Sequence, residues 1–139
     1  MTIKEAEDEI VSEFTLFSDW MEKYEYIIEL GKEMPIVDPK HQTESNLIPG
    51  CQSRVWLHAE HINGKIVFTA NSDAIITKGI ISLLIRVLSN QRAEDILNAE
   101  LLFIQEIGLT DHLSPTRSNG LVSMVKQMKN FAFAFSNAQ

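Results

Sequence analysis

The chain has 139 residues, 45% of them hydrophobic and 22% charged, and a formal charge of −7. That length can bury a core without disulfides or metal, one cysteine excludes an internal disulfide, and the negative charge argues against binding nucleic-acid phosphates. The N-terminal stretch lacks the basic and apolar regions of a signal peptide and no apolar run reaches the ~18 residues of a membrane span, so we expect one cytoplasmic domain covering residues 1–139.

Two amphipathic helices are predicted at the N-terminal end. Residues 4–17 carry apolar side chains at i, i+1, i+4 and i+7, with acidic residues on the other face. Asp19 and Glu22 have the spacing of a capping box, which predicts a second helix to about Leu30 with Gly31 as its C-terminal stop. The stretch that follows holds three of the four prolines, so we expect a loop there.

A β-hairpin is predicted over about residues 54–71. The segment "RVWLHAEHI" alternates as a strand does, and "KIVFTAN" can form the returning strand. Between them, Asn63 and Gly64 are a two-residue turn signal, because both tolerate the positive φ that tight hairpin turns require. The hairpin supplies a small antiparallel sheet.

A long central helix is predicted after the hairpin. Ser72 or Asp73 is expected to cap it, and it should run through about Leu88. Apolar residues cover most of its surface, which is typical of a helix in the middle of a fold. Gly79 lies inside this helix and is expected to permit close packing against the sheet.

The C-terminal third is predicted to be helical. Residues 92–107 indicate one or two short helices ending at Gly108. Ser114 and Pro115 then have the order of an N-cap and a first helical residue, and the last helix carries an apolar face of Leu, Val, Met and Phe. The element order predicts an α+β fold in which a small antiparallel sheet packs against several α-helices.

The stretch "IPGCQSR", residues 48–54, holds the only cysteine of the chain, Cys51. Pro49 and Gly50 place it on a loop just before a strand. A thiol becomes nucleophilic as the thiolate, which needs positive charge nearby, and Arg54 could supply it. On these residues alone two interpretations stand: a small buried side chain or a reactive thiol, with the loop position modestly favouring the second.

The four histidines offer weaker hypotheses. A cysteine hydrolase would need His41, His58, His61 or His112 in contact with Cys51. His58 and His61 are three residues apart on the predicted strand and therefore point to opposite faces. The histidines show none of the paired spacings of zinc sites, and no phosphate-binding loop is present, so we expect no metal site and no cofactor site.

Two charged residues are further candidates. Arg117 lies in the first turn of the last helix, where a cation is poorly matched to the helix dipole. This indicates an outside partner such as a carboxylate or a thiolate, although a plain surface arginine fits as well. Asp73 is interpreted as a structural N-cap.

Four stretches together resemble the SufE family of sulfur-acceptor proteins in iron–sulfur cluster assembly. They are "KYEYIIELGKEMP", "GCQSRVWL", "NSDAIITKGIISLL" and "LTDHLSPTRSNGLVSMV". Within this resemblance Cys51 matches the persulfide-carrying cysteine, and Arg117 matches the arginine of the R-S-x-G element near it. Asp73 matches the acidic residue of the S-D-A element in the desulfurase-facing region. Arg54 and Asn71 depart from the Gln and Asp of many relatives.

The resemblance implies a SufE/IscU-like fold and a sulfur carrier that is not itself an enzyme. The carrier would take persulfide sulfur onto Cys51 from a SufS-type cysteine desulfurase, which is a pyridoxal-phosphate enzyme, and would stimulate it. The sulfur would then pass to a SufB-type scaffold in a SufBCD-type complex. A CsdA-type desulfurase, a partner-independent cysteine enzyme and a plain interaction domain with inert Cys51 are the alternatives. We expect a monomer or homodimer without nucleic-acid or membrane partners.

Overall fold

The computed structural model describes residues 1–137, so the last two residues of the expected domain lie outside the described range. Its described part contains six α-helices and a two-stranded antiparallel sheet, which confirms the predicted α+β class. The elements are α1 (Ile3–Phe14), α2 (Trp20–Glu33), β1 (Val55–Ile62), β2 (Lys65–Ser72), α3 (Ile75–Leu88), α4 (Ala93–Asn98), α5 (Phe103–Glu106) and α6 (Pro115–Asn137). None of these helices is both long and apolar enough to cross a bilayer.

The two N-terminal helices begin as the sequence predicts but end elsewhere. Helix α1 stops at Phe14, three residues before the expected end. The Asp19 carboxylate accepts a hydrogen bond from the backbone N–H of Glu22 at 2.9 Å and so caps α2. Helix α2 then continues to Glu33, so the prediction that Gly31 stops it was wrong.

Gly31 belongs instead to a seam where α2 packs on α3. A Cβ atom at Gly31 would lie 2.9 Å from the backbone nitrogen of Gly79. A Cβ atom at Gly79 would lie 2.8 Å from the carbonyl carbon of Ile27 and closer still to its oxygen. Gly79 therefore permits close packing, but against α2 rather than against the sheet as expected.

The hairpin forms as predicted, shifted by one residue. Val55 pairs with Ser72 at the open end, and Ile62 pairs with Lys65 next to the turn. The turn residues Asn63 and Gly64 have φ values of 53° and 81°, as the sequence signal requires. Alternate residues of β1 face the core, so the strand presents one buried and one outer face.

Helix α3 lies at the centre of the fold. Ten of its 14 residues are buried, and it contacts α1, α2, β2 and α6. Its start differs from the prediction, because Ala74 occupies the cap position without a side-chain cap. The hydroxyl of Ser72 accepts from the N–H of Ala74 at 3.2 Å, whereas the Asp73 carboxylate turns away to bond the N–H of Arg54.

The C-terminal helices follow the sequence closely. The two short helices α4 and α5 are followed by Gly108, whose φ of 77° ends the helical run as predicted. The Ser114 hydroxyl accepts from the N–H of Arg117 at 3.2 Å and caps α6. Lys129 on α6 donates to the carbonyls of Leu97 and Ala99 at 3.2 and 2.6 Å, tying α6 to the end of α4.

Candidate functional site: the Cys51 loop and its cavity

The loop that carries Cys51 runs from a short 3₁₀ turn to β1 and lies against α6. Gly50 has a φ of 87°, in the left-handed region that favours glycine. A Cβ atom at Gly50 would lie 2.5 Å from the Oγ atom of Ser123 on α6. Gly50 therefore combines the turn and the close approach that bring Cys51 to the start of this helix.

The thiol of Cys51 is half-buried and has one hydrogen-bond partner in the described structure. Its Sγ atom lies 3.6 Å from the carbonyl oxygen of Gly120, to which the S–H group donates. A Cβ atom at Gly120 would stand 3.7 Å from Sγ, in ordinary contact distance. Because a thiol is a weak donor, this contact holds the side chain only lightly.

Cys51 opens onto a cavity of about 330 Å³ formed where three segments meet. The cysteine loop supplies one wall, the first turns of α3 a second and the first turns of α6 a third. The walls are mixed in polarity, and the lining residues are Cys51, Gln52, Ser53, Ala74, Thr77, Ile80, Ser114, Thr116, Arg117, Gly120 and Met124. The fold thus brings Arg117, in the first turn of α6 as predicted, to the same cavity as Cys51.

The surroundings of Cys51 keep the thiol protonated. Burial raises the pKa of the Cys51 thiol above its ordinary value, because a thiolate loses hydration in the half-enclosed cavity. Arg54, which the sequence offered as a source of positive charge, is exposed and does not reverse this shift of the pKa. At neutral pH the resting side chain is therefore a thiol rather than the reactive thiolate.

Asp73 lies outside the cavity wall and fixes the end of the cysteine loop. Its carboxylate accepts from the backbone N–H of Arg54 at 3.0 Å, and its own N–H donates to the Arg54 carbonyl at 3.2 Å. The hydroxyl of Ser72 donates to that same carbonyl at 2.8 Å. The prediction of an N-cap was therefore wrong, because the carboxylate joins the start of α3 to the residue where the loop enters β1.

All four histidines lie within the described residues, and none of them lines the Cys51 cavity. His112 stacks on Trp20 with ring centroids 3.9 Å apart, and the ring of His61 lies 5.3 Å from that of Phe135. His41 and His58 stack on each other at the outer face of β1. The geometry therefore gives Cys51 no histidine base of the kind a cysteine hydrolase uses.

The outer face of β1 holds a grouping that the sequence did not reveal. His41, His58 and Glu60 place one donor atom each within 4.8 Å of one another. Sequence spacing gives no sign of it, because His41 lies in a loop 17 residues before His58. Only the folding of that loop onto the strand joins them.

Fold and site together define a small α+β protein with a single half-buried thiol on a loop between two helix starts. The domain family described as "SufE: Fe-S metabolism associated domain" matches residues 8–132. A SufE-like protein of Rhizobium meliloti strain 1021 is 37% identical over 131 residues, covering 90% of this chain and 93% of that protein. One from Rhizobium etli is 38% identical over 132 residues, covering 90% and 88%. The chain belongs to the SufE family.

A solved structure shows the same fold. The solution structure of a hypothetical protein from Thermus thermophilus matches with a TM-score of 0.77, covering 93% of this chain and 94% of that one. The two sequences are 19% identical, so this likeness concerns the fold alone. Family membership supports a role in sulfur transfer within Fe–S metabolism.

Proposed function

We propose that this chain accepts persulfide sulfur on Cys51 from a SufS-type cysteine desulfurase, stimulates that enzyme and passes the sulfur to a SufB-type scaffold. The observation that carries the proposal is the setting of Cys51. The only thiol of the chain is half-buried on a loop that turns at Gly50. It packs against the core, donates one weak hydrogen bond to the Gly120 carbonyl and lies beside a cavity of about 330 Å³. Such a side chain can be sheltered at rest and still leave its site.

The chemistry begins when the loop moves outward. In the cavity burial raises the pKa of the Cys51 thiol, so a loop that leaves the cavity for water loses that desolvation penalty and the proton more readily. The Cys51 thiolate attacks the terminal sulfur of the desulfurase persulfide. A sulfur–sulfur bond forms at Cys51 Sγ, the sulfur–sulfur bond of the donor breaks, and the donor cysteine leaves as a thiolate.

The cavity and its charged wall suit the product of this transfer. A persulfide is more acidic than a thiol and carries negative charge, and Arg117 lines the same cavity as Cys51. We assign Arg117 the role of pairing with that anion once the loop returns, since charge-assisted hydrogen bonds are among the stronger ones. The cavity also limits access by stray thiols and oxidants, to which a persulfide is readily lost.

Asp73 is assigned a supporting role at the desulfurase-facing surface. Its carboxylate holds the backbone of Arg54 and so fixes one end of the moving loop, while Gly50 provides the bend at the other. A partner that engages this exposed carboxylate would loosen the loop end. The lone cysteine helps as well, because the chain has no second thiol to discharge the sulfur.

The direct test is desulfurase stimulation. Alanine production by a purified SufS-type desulfurase is measured with increasing amounts of the wild-type chain, Cys51→Ser, and the surface control Ser12→Ala. We expect stimulation by wild type and the control and none by Cys51→Ser, with unchanged circular dichroism. A parallel series with a CsdA-type desulfurase identifies which enzyme is the partner. Full stimulation by Cys51→Ser would refute the proposal.

A further inference from the structure

The outer face of the hairpin carries a cluster of metal-binding side chains separate from the Cys51 site. His58 and Glu60 are two residues apart on β1, so both point to the same face of the strand. Their Nε2 and Oε1 atoms lie 3.2 Å apart. His41 reaches the same place from the loop between α2 and β1, and its ring stacks on that of His58 at a centroid distance of 3.7 Å.

Several hydrogen bonds fix the loop that delivers His41. The Asp38 carboxylate accepts from the N–H of Lys40 at 3.1 Å and caps the 3₁₀ turn that ends at His41. The carbonyl of His41 accepts from the side-chain amide of Asn46 at 2.6 Å. The backbone of His41 is therefore held in place beside β1.

We propose that His41, His58 and Glu60 bind a divalent transition-metal ion, with Zn²⁺ the best match. Two imidazoles and a carboxylate suit zinc and its neighbours, whereas calcium and magnesium favour sites made of oxygen donors. Zinc–ligand bonds of about 2.0–2.1 Å in a tetrahedral site separate neighbouring donor atoms by about 3.3 Å. The 3.2 Å between His58 and Glu60 already matches that edge.

The third donor needs one local change. The rings of His41 and His58 are 8° from parallel, so their nitrogen lone pairs do not converge on one point. A rotation of the His41 side chain brings its nitrogen toward the other two donors, all three of which lie within 4.8 Å. Three protein ligands leave a fourth position for water.

The charges around the cluster favour a cation. A cavity of about 210 Å³ at this face is lined by two carboxylates, Asp38 and Glu60, and by one lysine, Lys40, among the described residues. The competing arrangement is the direct contact between His58 and Glu60, whose side chain is 56% exposed. A polar contact so open to water contributes little to stability, so a metal ion displaces it at small cost.

The site stands apart from sulfur transfer. Among the described residues it shares none with the Cys51 cavity, and a bound ion would fasten the loop carrying His41 to β1. Sequence spacing predicts no metal site here, because the three ligands come from a loop and a strand that only tertiary packing joins. Since a free thiol can itself bind zinc, the test uses the Cys51→Ser background.

The experiment titrates tag-free Cys51→Ser protein with Zn²⁺ by calorimetry and with Co²⁺ by visible absorption. We expect one equivalent of Zn²⁺ and the intense absorption bands of a tetrahedral Co²⁺ site. His41→Ala, His58→Ala and Glu60→Gln, each in that background, should weaken Zn²⁺ binding by about tenfold or more, because loss of outer partners alone costs roughly that much. The matched control is His61→Ala, on the same strand but the opposite face.

Three outcomes overturn the proposal. The Cys51→Ser protein fails to bind Zn²⁺, or the ligand variants bind as tightly as their parent, or His61→Ala loses as much affinity as they do. Glu60→Gln keeps the shape of the side chain, so its result decides the matter if a histidine variant fails to fold. Circular dichroism without metal identifies that case.

Discussion

The seam between α2 and α3 brings two helix backbones together at Gly31 and Gly79, whereas the Cys51 loop meets α6 across a cavity of about 330 Å³. Both regions depend on glycine. In the seam it removes a side chain so that backbone atoms touch, and in the loop the positive φ of Gly50 lets the chain turn. The same residue type thus permits a closed backbone contact in one region and a turn with positive φ in the other.

The two regions differ in how much free space surrounds their side chains. The centre is close-packed around α3, where a one-methyl change has no room. The Cys51 side chain instead has open space beside it and a weak S–H donor contact. Substitutions in each region test this contrast in packing.

The largest expected effect is on the closed seam. Gly79→Ala places a methyl against the backbone of Ile27, which cannot move aside as a flexible side chain can. We expect a loss of about 3 kcal/mol or more of unfolding free energy, measured by urea denaturation. Gly120→Ala is the matched control in a helix, because its Cβ would stand 3.7 Å from the Cys51 sulfur. Gly120→Ala should leave the free energy of unfolding unchanged or raise it by up to ~1 kcal/mol, because alanine has the higher helix propensity. Equal losses in the two variants would contradict the contrast between seam and cavity.

A second effect, of intermediate size, concerns the ion pair that ties α1 to α3. Arg86 donates to the carboxylates of Glu9 and Glu13, and its side chain is 27% exposed. Arg86→Gln should cost about 2 kcal/mol at pH 7, between the values typical of surface and buried pairs. Arg92→Gln is the control, because the Arg92 side chain is 70% exposed and lies 3.9 Å from Glu94.

The same pair predicts a pH dependence. The hydrogen bond from Arg86 lowers the pKa of the Glu13 carboxyl in the folded protein. Stability from this group is therefore complete above the unfolded pKa of about 4.3 and is lost as the pH falls through the lower folded pKa. The free energy of unfolding, measured with urea, should fall less steeply between pH 6 and pH 3 in Arg86→Gln than in wild type. Parallel curves would show that Glu13 does not carry the effect.

A smaller effect is expected at the wall of the cavity. Arg117→Ala should slow sulfur acceptance by roughly tenfold, the value of one charge-assisted hydrogen bond, with little change in unfolding free energy. The side chain is exposed, and its backbone N–H keeps the Ser114 cap. Arg117→Lys retains the charge and should recover part of the rate. Sulfur transfer at the wild-type rate in Arg117→Ala would show that Arg117 has no part in sulfur acceptance.

The smallest effect is a shift in thiol reactivity. Burial raises the pKa of the Cys51 thiol, so at a given pH the folded chain holds less thiolate than an unfolded one. The midpoint of the iodoacetamide rate against pH should therefore lie above that of the urea-unfolded protein. A midpoint at or below the unfolded value would show that the thiolate is stabilised at rest.

Much of the fold could be predicted from the sequence because local signals agree with the tertiary structure. The Asn63-Gly64 turn, the Asp19 cap and the Ser114-Pro115 helix start all depend on residues a few positions apart. The prediction that Gly31 ends α2 was wrong, because a glycine that ends a helix and a glycine that permits close packing look alike in sequence. Only the presence of α3 beside it decides between them.

The site could be predicted in part, through the resemblance rather than through local pattern. Cys51 and Arg117 line one cavity, yet they are 66 residues apart and nothing in the spacing brings them together. The Asp73 carboxylate bonds the backbone of Arg54 across the base of the hairpin, a contact that joins residues 19 positions apart. The raised pKa of Cys51 and the meeting of His41 with His58 likewise follow from tertiary packing.

The central claim is that Cys51 carries sulfur, and intact-mass measurement tests it most directly. The chain is incubated with a SufS-type desulfurase and free cysteine, and then analysed without reductant. We predict a gain of ~32 Da, one sulfur atom, located on the peptide containing Cys51 and absent from Cys51→Ser. An unchanged mass in wild type, or the same gain in Cys51→Ser, would contradict the account.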